Sequence, residues 1–127
     1  MTASLNLVAG WSCFLGGAIS GAVMGLCFHR EDWLGGYASF ARRLLRLGHI
    51  AFFGLGLINI LYALSVAGLP ATPWLEGGGH CLLIGAATMP TICFLAAWRA
   101  AFRHLFFIPV GCTSLGIAGL LVSLLQS

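Results

Sequence analysis

Four apolar runs divide the chain, at residues 5–28, 47–67, 80–98 and 105–125, and the polar residues collect between them. Crossing the hydrocarbon core of a bilayer takes about 20 apolar residues in a helix, and each run is of that order. Inside hydrocarbon the backbone must satisfy its own hydrogen bonds, which favours helices. The short alternating strands of a membrane barrel are missing from the pattern. The runs therefore predict an all-α integral membrane protein with four transmembrane helices. Short connections predict an up-and-down antiparallel bundle, forming a single domain over residues 1–127. The first run reads as a retained helix rather than a cleaved leader: no basic stretch precedes it, and it exceeds the roughly 7–15 apolar residues of a leader core.

Interruptions within the runs carry the next layer of information. Gly17, Gly21 and Gly25 recur every four residues in the first run, with Gly10 near the same stripe. At 3.6 residues per turn this makes a smooth ridge, a surface on which a second helix can approach closely. It serves packing inside the bundle or against another subunit. In the second run, His49, Phe52, Gly56, Asn59 and Ala63 fall within an arc of roughly 80°. Asn59 lies near mid-span, where an amide is costly without a partner; it is expected inside, as interhelical glue, with Tyr62 available to it or to another helix. Pro70 predicts the end of the second helix, and Gly77, Gly78 and Gly79 read as a flexible approach to the third. Pro90 predicts a kink, with Thr88 and Thr91 satisfying the freed backbone. In the fourth run, His104, Ile108, Gly111, Leu115 and Ala118 share a face. A short surface helix is expected over residues 37–46, with Trp33, Tyr37 and Phe40 at the headgroup layer.

Composition agrees with this class and charge orients it. The chain is 60% hydrophobic and 7% charged, against about 25% charged in an ordinary soluble domain. It has six arginines and no lysine. Arg30, Arg42, Arg43 and Arg46 lie between the first and second runs, and Arg99 and Arg103 between the third and fourth; the connection near Pro70–Gly79 has only Glu76. Basic residues beside spans favour the cytoplasmic side. Both arginine-bearing connections are therefore expected in the cytoplasm, with the N-terminus and C-terminus outside, on the periplasmic face of a bacterial inner membrane. The lysine-free, Ala-, Gly-, Leu- and Arg-rich composition fits a GC-rich genome. The net charge of +3 is assigned to topology and membrane lipids, not to nucleic acid.

Little of the sequence bears chemistry. The five cysteines form no CxxC pair and read as small hydrophobes. Glu31, Asp32 and Glu76 are the entire acidic set and none lies within a run, which weakens carboxylate catalysis and proton-coupled transport. The histidines remain. His29, His49 and His104 fall at the arginine-bearing side and His80 at the other. Their simplest reading is interfacial. A sharper one is a single b-type haem, whose iron would take two neutral imidazoles: His49 with His104, or His29 as substitute, with Gly56 and Gly111 leaving room for the macrocycle. A copper or zinc site of His29, His49 and His104 is weaker, for want of metal-binding spacing. These features predict a small accessory or anchoring subunit of a larger energy-transducing, electron-transfer membrane complex, held with other membrane subunits through glycine faces and carrying one haem b. The alternatives are a small homo-oligomeric transporter or channel and a histidine-ligated metal-dependent membrane enzyme. The helix-packing positions expected are Gly17, Gly21, Gly25, Gly56, Asn59 and Gly111.

Overall fold

The computed structural model describes residues 2–127. Among them, four helices are long and apolar enough to cross a membrane. They are α1 (Thr2–Cys27), α2 (Phe40–Ser65), α3 (Pro73–Trp98) and α4 (Phe107–Gln126). Short 3-10 segments, Trp33–Gly35 and Ala100–Leu105, lie in the two arginine-bearing connections.

α2 and α3 begin well before their apolar runs, and each has a cap to explain it. Ser39 accepts a hydrogen bond from the Arg42 amide at 3.2 Å and thereby starts α2 at Phe40. The surface helix expected over residues 37–46 is thus largely the first turns of α2 itself. Thr72 accepts from the Leu75 amide at 3.2 Å, and Pro73 occupies the first turn, where its missing N–H is no loss. So α3 already includes Gly77, Gly78 and Gly79, which were expected to be flexible. Gly78 and Gly79 are crowded by neighbours, whereas Gly77 faces open space. A methyl group on Gly78 would stand 3.1 Å from the Gly116 carbonyl oxygen, and one on Gly79 would stand 2.8 Å from Tyr62 Oη.

Contacts between consecutive helices run in opposite directions. Gly10 meets Gly56 and Ile60, while Gly21 meets His49. Gly48 meets Cys93 and Phe94, while Tyr62 bonds to the Leu75 carbonyl. Gly85 meets Thr113, while Gly119 meets Trp74. Consecutive helices are therefore antiparallel. The start of α1 and the end of α4 lie at one end of the bundle and all six arginines lie toward the other. The middle helices form the centre: of the most apolar window in each helix, 33% of α2 and 39% of α3 is buried, against 22% of α1 and 17% of the fourth span. α1 packs mainly on α2, and α4 mainly on α3. The outward faces of α1 and α4 are left uncovered, with Trp11, Leu15, Leu26, Leu121 and Leu125 exposed.

Glycine is the main packing device. Gly17 and Gly21 receive the rings of Phe53 and His49 from α2, and Gly56 sits against Gly10, Cys13 and Phe14. That ridge is spent inside the chain. Gly25 and Gly111, expected as packing positions, have nothing within 4 Å of where a methyl group would be. On α4 the close contacts are made by Gly116 and Gly119 against α3, one and two turns past Gly111. Pro90 lies inside an unbroken α3. Thr88 and Thr91 bond to the carbonyls of Ile84 and Ala87, not to that of Ala86, the carbonyl a proline at 90 frees.

Candidate functional site

Two polar regions stand out, one toward each end of the helices. The first is built on the chain's only two asparagines, both fully buried. Asn6 of α1 donates to Asn59 Oδ1 at 2.7 Å and to the Gly79 carbonyl at 3.0 Å. Asn59 of α2 donates to the Leu55 carbonyl at 2.9 Å and to the Leu82 carbonyl of α3 at 3.3 Å. All four amide hydrogens are used, and they join α1, α2 and α3. One turn along α2, Tyr62 donates its hydroxyl hydrogen to the Leu75 carbonyl. Asn59 is inside, as expected, but its side-chain partner is Asn6, and Tyr62 serves a different helix contact. Sequence reasoning missed Asn6. The available signal was that both asparagines fall within apolar runs, so each needs a partner and each could supply it. Asn6 Oδ1 is the one buried atom of this group without a hydrogen-bond partner.

The second region is the arginine-bearing end, where the expected histidine site should lie. His49 is half-buried and turned toward α1. Its Nδ1 is 3.1 Å from Ser20 Oγ, its ring lies edge-on to Phe53 at 5.3 Å, and it packs over Gly21. His29 uses its Nδ1 on the Leu26 carbonyl at 2.8 Å, closing its own helix. His104 is exposed on the 3-10 segment that leads into α4. His80, at the other end, bonds to the Glu76 carbonyl at 2.7 Å. Among the described residues, no three His, Cys, Asp or Glu side chains stand where they could share a metal ion. The copper or zinc cluster expected from His29, His49 and His104 is therefore not formed, since each ring serves a local contact or faces outward. Nor do the described contacts join His49 to His104. The space expected beside Gly56 is filled by Cys13 and Phe14, and Gly111 opens outward.

What the arginine-bearing end does contain is an aromatic cage. Arg42 is buried, with its guanidinium 5.0 Å from the Phe28 ring centre, 5.5 Å from Trp33 and 5.9 Å from Tyr37. Its Nη1 donates to the Glu31 carbonyl at 3.2 Å. Arg46 stacks on Tyr37 at 4.1 Å. These contacts fasten residues 28–37 onto the start of α2, at about 0.5–2 kcal/mol per cation–π contact depending on burial. Arg43 lies between them in sequence. It is exposed and has no side-chain partner among the described residues. Three arginines expected to share one topological role thus divide into two that hold a loop and one that is free.

The site as a whole is a set of interhelical fastenings. Ser20 is the hydroxyl that meets a histidine among the described contacts, and its hydrogen goes to the Gly17 carbonyl at 3.0 Å. Comparison of the chain with protein-family models, with curated proteins and with solved structures returns no match.

Proposed function

We propose that the chain is a small anchoring subunit, integral to a bacterial inner membrane, in a larger electron-transfer assembly. The observation that carries the anchoring role is the open-sided arrangement: α1 and α4 each lean on one main neighbour and leave long apolar faces uncovered. The amide hydrogens of the buried Asn6 and Asn59 are all used in holding the helices together, which supports a scaffold better than a reaction. The proposed orientation places the arginine-bearing end in the cytoplasm and both termini outside, on the charge asymmetry of the connections. Haem b belongs to this proposal as a group shared with a partner subunit, since this chain alone does not frame one. His49 is then the ligand this chain supplies. Its Nδ1 is held by Ser20, the kind of second contact a ligating imidazole uses, and its ring would have to turn away from Gly21 to offer Nε2 to a metal.

The test is cross-linking in native membranes, with a photoreactive residue at Leu15 on α1 or Leu121 on α4, followed by isolation in mild detergent and a reduced-minus-oxidised spectrum. The expected result is a stoichiometric cross-link to a different membrane subunit, with an α-band that His49→Ala abolishes. A uniform homo-oligomer that passes solute in vesicles would overturn the anchoring role in favour of transport. A cross-linked complex with a featureless spectrum would retain the anchor and remove the haem.

A further inference from the structure

The uncovered side of the molecule is not uniformly flat. Because α4 packs on α3, a groove of about 350 Å³ opens between α2 and α4, with Met89 of α3 among its lining residues. Leu47, Ile50, Gly54 and Ile58 form the α2 wall, and Pro109, Val110 and Thr113 belong to the α4 wall. Gly54 makes the room: a methyl group there would have nothing within 4 Å. From Leu47 to Ile58 the α2 wall is about 16 Å long at 1.5 Å per residue. That is roughly half of a ~30 Å hydrocarbon core, so the groove has the depth of one leaflet. A partner helix would need a seat running the full thickness, and this one ends halfway.

The groove starts at the arginine-bearing end, and its mouth is charged. Arg43, Leu47, Ile50, Gly54 and Ile58 fall within roughly 80° of one another around α2. Arg43 therefore sits one turn outside the groove, in line with it, exposed and with no side-chain partner among the described residues. A guanidinium placed there can bond a phosphate through two N–H groups at once. On the α4 side, the segment leading into the wall carries the exposed Arg103 and His104. No acidic residue lies on either wall.

We propose that this groove binds one anionic phospholipid of the leaflet at the arginine-bearing end, an acyl chain lying between α2 and α4 and the headgroup phosphate meeting Arg43. The proposal requires only that the four helices span a bilayer, and is independent of the assembly proposed above. Its test is native mass spectrometry of delipidated protein titrated with phosphatidylglycerol or phosphatidylcholine of identical acyl chains. Wild type should retain one phosphatidylglycerol, at about fivefold preference over phosphatidylcholine, the ratio expected from one basic side chain near a headgroup. Gly54→Leu, which places a side chain in open space, should lower retention of both lipids at least tenfold, while the thermal midpoint of the lipid-free protein does not fall. Arg43→Gln should keep chain binding and abolish the preference. Equal retention of the two lipids by wild type would overturn the headgroup assignment. Undiminished retention in Gly54→Leu, or a dimer through this groove that phosphatidylglycerol does not dissociate, would overturn the groove assignment.

Discussion

Cutting the Asn6–Asn59 bond from each side separately, and then from both, should give a strongly non-additive result. Leucine keeps the forked shape of asparagine and removes its polar atoms. Asn6→Leu deletes the donors to Asn59 Oδ1 and to the Gly79 carbonyl, and leaves Asn59 Oδ1 buried without a partner. Asn59→Leu deletes the donors to Leu55 and Leu82, and strands one Asn6 hydrogen. An interhelical hydrogen bond in a membrane contributes about 0.6 kcal/mol on average and up to about 1.7, and stranding a buried polar atom costs about 1–3 kcal/mol more. Each single variant should therefore lose about 1.5–4.5 kcal/mol. The double variant strands neither side chain, so it should be less destabilised than the sum of the singles by about 1–2 kcal/mol. Reversible unfolding in mixed micelles measures this directly, because about 1.4 kcal/mol is a tenfold change in the equilibrium constant. Additivity within ~0.5 kcal/mol, the behaviour of independent sites, would refute the claim that the two amides form one unit.

Two further outcomes follow from the same contacts. Gly56→Ala would put a methyl group 2.9 Å from the Gly10 carbonyl oxygen and 3.0 Å from Cys13 Cβ, forcing α1 and α2 apart at a cost of about 1–3 kcal/mol; Gly25→Ala, in open space, should instead gain up to about 1 kcal/mol in helix propensity, and thermal unfolding in detergent compares the two. Arg42→Met empties the cage of Phe28, Trp33 and Tyr37 and should release residues 28–37 by on the order of 2 kcal/mol, seen as faster amide exchange confined to that segment, whereas Arg43→Met should leave its exchange unchanged.

The four spans and the side on which the arginines gather were legible because both are properties of composition along a line. Length and apolarity predict a crossing helix whatever packs beside it. Helix starts were less legible: Ser39 and Thr72 are ordinary residues until their hydroxyls accept from Arg42 and Leu75. The three glycines at 77–79 were misread for a related reason. A glycine cluster signals freedom in a chain and close approach in a bundle, and the neighbours of Gly78 and Gly79, namely Gly116, Tyr62 and Asn6, are far away in sequence. The interior place of Asn59 was legible from the expense of an amide in hydrocarbon. Its partner was not, because a need for hydrogen bonds does not say which helix meets it.

The histidines show the same limit at the level of function. Grouping three of them at one end placed them on one side, and that much follows from charge. Whether they converge depends on rotation about each helix axis. For His49 that rotation is set by Gly21 and Ser20, which turn the ring into the α1 contact. The rotation that carries His49 inward also carries Arg43, six residues earlier and about 120° away around the helix, outward to the groove side. One helix thus presents its ligand-capable side chain to a neighbour and its unpaired cation to the surroundings. Any role for His49 beyond packing must therefore be exercised through or alongside α1, whose outer face is among the least covered in the molecule, while Arg43 acts on the opposite side, where the groove opens.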